Sequence, residues 1–109
     1  MRVELFHITT RAEWDAARAS GAYRAPSLET EGFIHLSTAE QWRRVARERF
    51  ADRRDLVLLR IDAARLSHPV HFEAADGDHF PHLYGELEAS AVLDARLLSV
   101  SIDGDAALQ

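Results

Sequence analysis

The segment Asp55-Leu56-Val57-Leu58-Leu59-Arg60-Ile61-Asp62 constrains the fold most strongly. A continuous aliphatic run bounded by acidic residues is the pattern of a strand covered on both faces, because a strand with one wet face alternates apolar and polar positions. This run therefore reads as the central strand. A chain of 109 residues can bury one hydrophobic core around it but not two, so residues 1–109 read as a single domain. With 47% hydrophobic and 28% charged residues, the chain falls well away from the composition of disorder.

The remaining elements follow from periodicity and punctuation. Val3, Leu5 and His7 alternate with Glu4, Phe6 and Ile8, predicting a strand over residues 2–8. Thr10 with Glu13 makes a capping box ahead of a helix from Arg11 to Ser20, which Gly21 stops. Tyr23 to Leu28 contains Pro26 and suits an extended loop or edge segment. Gly32 to Ser37 reads as a short strand. Ser37 with Glu40 makes a second capping box, predicting a helix from Thr38 to Phe50. Ala63 to Leu66 reads as a turn, Val70 to Glu73 as a strand, and Ala74 to Pro81 as a mobile loop. Ala91 to Ile102 supplies one or two closing strands around Asp94 to Arg96, and residues 103–109 read as a frayed tail. Strands outnumber helices without regular alternation, which predicts an α+β fold with a mixed or antiparallel sheet flanked by two main helices.

Composition narrows the chemistry. Without cysteine there is no disulfide framework, no thiolate metal site and no cysteine nucleophile. The N-terminal residues lack signal-peptide organisation and no apolar run approaches the roughly 18 residues needed to span a bilayer, so a cytoplasmic location without a membrane partner is expected. The net charge of -5 opposes non-specific attraction to nucleic acid. One basic patch runs against that sign: Arg43, Arg44, Arg47, Arg49, Arg53 and Arg54, in a chain whose basic residues are all arginine. It is either a solvated helix face or a phosphate-recognising surface, since the planar guanidinium suits phosphate. Nucleic acid stays an unfavoured partner that this patch alone keeps open.

Three segments carry candidate chemistry. His7 and His35 each follow apolar residues on a strand face, the position either of core histidines with satisfied nitrogens or of residues lining a cleft at strand ends. Ser37, two residues beyond His35, stands at the start of the next expected helix, where free backbone N–H groups favour a phosphate or carboxylate; the same serine can simply cap that helix. The third segment is His79-Phe80-Pro81-His82-Leu83-Tyr84-Gly85-Glu86. Its histidines and aromatics could hold a planar ring or sugar, or its apolar side chains could anchor a loop to the core. Glu73 shares a strand face with His71 and could orient a base or form a surface pair. His68-Pro69-Val70-His71 and His79 to His82 repeat a spacing of two intervening residues. Both contain proline, so facing geometry is not assured, and no metal is expected. The Gly-rich phosphate loop, the Gly-x-Ser-x-Gly elbow and the helical His-Glu-x-x-His are all missing.

Phe6-His7-Ile8-Thr9, Gly32-Phe33-Ile34-His35-Leu36-Ser37 and Phe80-Pro81-His82-Leu83-Tyr84-Gly85 together resemble the bacterial family called domain of unknown function 952, over nearly the whole chain. One departure is Glu86, where the family usually has proline. The resemblance implies a fold similar to that of ADP-ribosyltransferases, a split antiparallel sheet with a nicotinamide-dinucleotide cleft between its halves. It also implies NAD as a ligand. His7 and Ser37 match dinucleotide-binding positions, with His35 alongside, and the stretch around His35 resembles the tRNA 2′-phosphotransferase branch. Glu73, His82 and Glu86 are candidates for the position that orients the nucleophile.

The leading expectation is thus a binder of NAD or a related phosphorylated ADP-ribose ligand, with ADP-ribosyl- or phosphotransferase activity as its extension. His7, His35 and His82 would act as catalytic groups and Thr9, Ser37, Glu73, Phe80 and Tyr84 as ligand contacts. The alternative is a non-catalytic small-metabolite or partner-binding domain. Oligomeric state is not encoded in any feature of the chain.

Overall fold

The computed structural model describes residues 2–109. Its nine strands pair antiparallel throughout, in three sheets, with three helices. The main sheet runs β1-β4-β8-β9, from Glu4–Thr10, Arg53–Asp62, Val92–Val100 and Ala106–Leu108. A second sheet runs β3-β6-β5, from Ile34–His35, Asp78–Leu83 and Val70–Ala75, and β2 (Ala22–Tyr23) pairs with β7 (Leu87–Glu88). The α+β expectation holds.

The aliphatic run forms β4, an inner strand of the main sheet, and its two faces feed two separate cores. Val57, Leu59 and Ile61 pack with Leu5, Trp14, Ile34 and Leu83, while Leu56 and Leu58 pack with Ile8, Trp42, Leu98 and Val100. That is why the strand lacks a polar alternation. Arg60, its one interior charge, spans the sheet between Glu4 on β1 at 2.7 Å and Asp94 on β8 at 2.7 Å.

Helix α1, Arg11–Ser20, begins and ends where the sequence punctuates it. Thr10 Oγ1 accepts from the Glu13 N–H, and Gly21 closes the helix in the left-handed region at φ 95°. Helix α3 does not follow its expected cap. It spans Trp42–Arg49, and Ser37 lies five residues before its first turn. Both the N–H and the C=O of Ser37 are bound to Phe6 of β1, each at 2.7 Å, so the chain stays extended there and the Ser37–Glu40 box does not form. Gln41 organises the turn instead: its Oε1 accepts from the Thr38 N–H at 3.0 Å, and its Nε2 donates to Asp78 and to the His79 carbonyl.

Three further expectations are corrected, and of the one or two closing strands expected after Ala91 the structure has one across Asp94 to Arg96. Pro26–Thr30 forms a short helix, α2, with proline at its first turn, where its missing N–H is no loss. Residues 74–81 belong to a β5–β6 hairpin whose turn is Asp76-Gly77, at φ 51° and 80°, the left-handed pair that a two-residue hairpin turn demands. Asp94 to Arg96 does not interrupt β8, which pairs with β4 across them. The expected frayed tail includes β9, paired with β8, and the Gln109 N–H donates to Leu97 at 3.0 Å.

Pro81 sits in β6, the middle strand of its sheet, where proline is unusual. Its carbonyl accepts from the Leu36 N–H at 2.9 Å, but it has no N–H to return. The β3–β6 ladder therefore stops at this point, and the chain leaves after Leu36 to join β1 at Ser37.

Leu59 is fully buried between elements of the first core. Leu59→Ala is expected to lower unfolding free energy by about 2–5 kcal/mol. Phe72→Ser, at a side chain 56% exposed on outer strand β5, should change it by less than about 1 kcal/mol in the same urea titrations.

Candidate functional site

Backbone pairing between β1 and the segment after β3 is a single bridge, Phe6–Ser37, and a cleft opens between β1, the segment 35–37, α3 and the β5–β6 hairpin tip. Its volume is about 180 Å³. His7, His35, Ser37, Phe80 and His82 line it, five of the eight candidate residues. Thr9, Glu73 and Tyr84 stand outside its lining. Arg49 of the arginine patch lines it too, and the sequence did not single out Val45 and Phe50, which join it on the α3 side.

His82 is 4% exposed and tightly oriented. Its ring stacks on Phe33, with centroids 4.0 Å apart and planes at 18°. Its Nδ1 lies 2.8 Å from Glu73 Oε1, so the N–H belongs on Nδ1 and donates to the carboxylate. Tyr84 donates its hydroxyl to the same oxygen at 2.5 Å. These two bonds, Tyr84 first, hold the Glu73 carboxyl below the usual carboxylate range, and the bond to Glu73 raises the Tyr84 hydroxyl. The opposite nitrogen, Nε2, is buried and has no hydrogen-bond partner among the described residues. With the proton on Nδ1, Nε2 presents a lone pair. A carboxylate–imidazole pair of this kind fixes the tautomer and strengthens the base.

His7 is engaged at both nitrogens. Nδ1 donates to the His35 carbonyl at 2.6 Å and Nε2 lies 2.9 Å from the Tyr23 hydroxyl. Desolvation on burial pushes it down to about 4, so it is neutral near pH 7, and with the proton on Nδ1 its Nε2 competes with Thr9 Oγ1 for the single Tyr23 hydroxyl proton. Tyr23 Oη in turn lies 3.1 Å from Thr9 Oγ1, which lies 3.2 Å from Glu13 Oε1. Burial pushes the Tyr23 hydroxyl up to about 12. His7 and Thr9 thus belong to a chain of hydrogen bonds joining β1, β2 and α1, and neither His7 nitrogen is free for a ligand. Tyr23 and Glu13 hold that chain together; the sequence marks Glu13 only as a capping residue and Tyr23 only as the start of a loop or edge segment.

His35 lies at the rim with its side chain 51% exposed, and its Nε2 is 3.0 Å from Glu31. Ser37 is 5% exposed and presents its side chain to the cleft, but without the helix start expected beside it. Much of the arginine patch is paired within the chain: Arg44 with Glu48, Arg47 with Asp105, Arg49 with Asp76 and Arg53 with Asp55, while Arg43 lies over Trp42. No group of three or more metal-ligating side chains occurs among the described residues, and no helix there is long and apolar enough to cross a membrane.

The depressed His7 value sets a stability signature. The unfolded chain binds a proton near pH 6.5 and the folded chain only near 4, so stability is complete above about 6.5 and is lost as pH falls through that window. His7→Gln is expected to flatten the urea-derived stability curve between pH 6.5 and 5. Tyr23→Phe should cost about 1–3 kcal/mol at pH 7, through the unpaired Nε2 it leaves.

Comparison with known proteins identifies the chain's kin. Residues 8–95 match the family model described as protein of unknown function (DUF952). The X-ray crystal structure of protein CC0527 from Caulobacter crescentus superposes with a TM-score of 0.85 at 38% identity, over 95% of this chain and 93% of that one. The solution NMR structure of CC0527 gives 0.79 at 39% identity, over 93% and 89%. No curated protein matches. The match over most of its length makes this chain a member of the DUF952 family.

Proposed function

We propose that the cleft binds a ribose-bearing nucleotide of the NAD or ADP-ribose class, with His82 Nε2 accepting a hydrogen bond from a ligand hydroxyl. One observation carries the reading: a buried imidazole, fixed by Glu73 and Phe33, lines the cleft and has an unused acceptor. An unpaired buried polar atom costs about 1–3 kcal/mol, which a hydroxyl donor would recover. Ribose offers such donors, and Phe80 and Ile8 offer an apolar wall beside them. The resemblance of the three motif segments to the ADP-ribosyltransferase-like superfamily adds support at the level of analogy.

Size qualifies the pose. Drug-sized pockets run to roughly 300–1,000 Å³, so a cleft of about 180 Å³ takes one ribose with a neighbouring group and leaves the rest of a dinucleotide over its mouth. His35 and Ser37 then stand near the phosphates, and Tyr84 acts behind Glu73 rather than stacking on a ring. ADP-ribosyl or phosphoryl transfer is the enzymatic extension. In the former, His82 takes the proton of an attacking hydroxyl at Nε2 as that oxygen bonds to the anomeric carbon of the NAD ribose and nicotinamide leaves with the electron pair of the broken glycosidic bond, while Glu73 steadies the imidazolium. No metal enters this reading, and a cysteine-free chain suits a cytoplasmic site of action.

The alternative, a non-catalytic metabolite- or partner-binding domain, draws support from His7, whose two nitrogens are both committed to structure. Titration of the protein with NAD and with ADP-ribose, by calorimetry and by thermal shift, separates the readings. The parent is expected to bind at least one of them, and His82→Phe to bind roughly tenfold more weakly, the worth of one hydrogen bond. A folded parent that shows no response at millimolar ligand would overturn the nucleotide reading.

A further inference from the structure

We propose that Arg44 and Arg49 form a phosphate subsite at the mouth of the cleft, occupied in the free protein by the chain's own Asp76. The proposal deepens the nucleotide reading, on which the identity of the rest of the ligand rests. Both arginines reach from α3 to the tip of the β5–β6 hairpin. Arg49 Nη2 donates to the Asp76 carboxylate at 3.0 Å, and Arg44 Nη2 donates to the Asp76 carbonyl. Arg49 and Asp76 both line the cleft that His82 also lines, and Arg44 lies over the ring of Phe80 in its wall.

A carboxylate on a guanidinium is the internal counterpart of a phosphate there, since both offer anionic oxygens to the same N–H donors. Phosphate brings more charge to it. The internal pair is also easily exchanged: the Arg49 and Asp76 side chains are 64% and 56% exposed, the regime in which an ion pair contributes little. Asp76 can swing out without disturbing the ladder, because it lies in the two-residue turn and the pairing resumes at Ala75 and Asp78. The other charges facing this spot are accounted for. Glu48, which lines the cleft, is held by Arg44 Nε at 3.3 Å, and Asp78 accepts from Gln41 and from the His79 N–H. With Asp76 in place the five groups Arg44, Arg49, Glu48, Asp76 and Asp78 carry one net negative charge; once Asp76 withdraws they balance, and the Arg49 guanidinium it leaves unpaired faces the ligand.

Calorimetric titration with inorganic pyrophosphate at low ionic strength, and separately with adenosine, tests the assignment on the parent, Arg44→Gln, Arg49→Gln and Asp76→Asn. Asparagine before Gly77 is a favoured hairpin pair, so Asp76→Asn keeps the turn. It is expected to bind pyrophosphate at least threefold more tightly than the parent, because the internal competitor has lost its charge. Arg49→Gln should bind it at least tenfold more weakly and Arg44→Gln several-fold more weakly, with adenosine unaffected in all three. Equal pyrophosphate affinity in the parent and Arg49→Gln, or no gain in Asp76→Asn, overturns the subsite. Pyrophosphate binding that follows the arginines while neither NAD nor ADP-ribose binds would leave the subsite standing and remove the nucleotide reading. Loss of ADP-ribose in His82→Phe, with no effect of Arg49→Gln on either ligand, would do the reverse.

Discussion

The pair of hydrogen bonds between Phe6 and Ser37 is the constraint on which the rest of the arrangement depends. It is the point at which backbone of the second sheet's segment pairs with the free edge of β1, and it is short, a single bridge rather than a ladder. A longer ladder would close the two sheets into one surface. A single bridge leaves them hinged apart beyond residue 37, and α3 with the hairpin tip fills only part of the gap. The cleft is the remainder. Pro81 enforces this from the other side by ending the β3–β6 ladder one residue before the chain crosses over.

His7 reinforces the same junction with a side chain. Its Nδ1–H donates to the His35 carbonyl, two residues before the bridge, so β1 and the crossing segment are bound both by backbone and by imidazole. The other nitrogen passes the connection to Tyr23 and, through Thr9, to the first turn of α1. One histidine thereby ties β1, β2, β3 and α1 together. Its neutral state is part of that function, because an imidazolium there would need the Tyr23 hydroxyl reversed and a charge held away from water.

Much of this was legible in the residues. The unbroken run from Leu56 to Leu59 gave the central strand, Thr10 and Gly21 gave both ends of α1, and the three motif segments lie around or against one cleft, as their histidines and aromatics suggested. The misreadings share a physical cause, which is tertiary pairing overriding a local signal. Ser37 and Glu40 have the letters of a capping box, but Ser37 spends its backbone on Phe6. Asp76-Gly77 has the letters of a hairpin turn and Val70 to Glu73 reads as a strand, but Pro81 argues locally against a central strand and so hid the returning β6. The mutual placement of Arg49 and Asp76, or of His82 and Glu73, depends on register between strands and on a helix 30 residues away, which no local pattern encodes.

His82 also sets two demands on the chain against each other. Its Nε2 is buried and has no hydrogen-bond partner among the described residues, so the fold carries the desolvation cost of that atom. An apolar ring at the same place would stack on Phe33 without that cost, and Glu73, at 41% side-chain exposure, could turn to solvent. The residue that folds best at position 82 is therefore not the one that the proposed hydroxyl contact requires. Variants selected for thermal stability alone would drift toward hydrophobic residues there and lose the acceptor on which the proposed function rests.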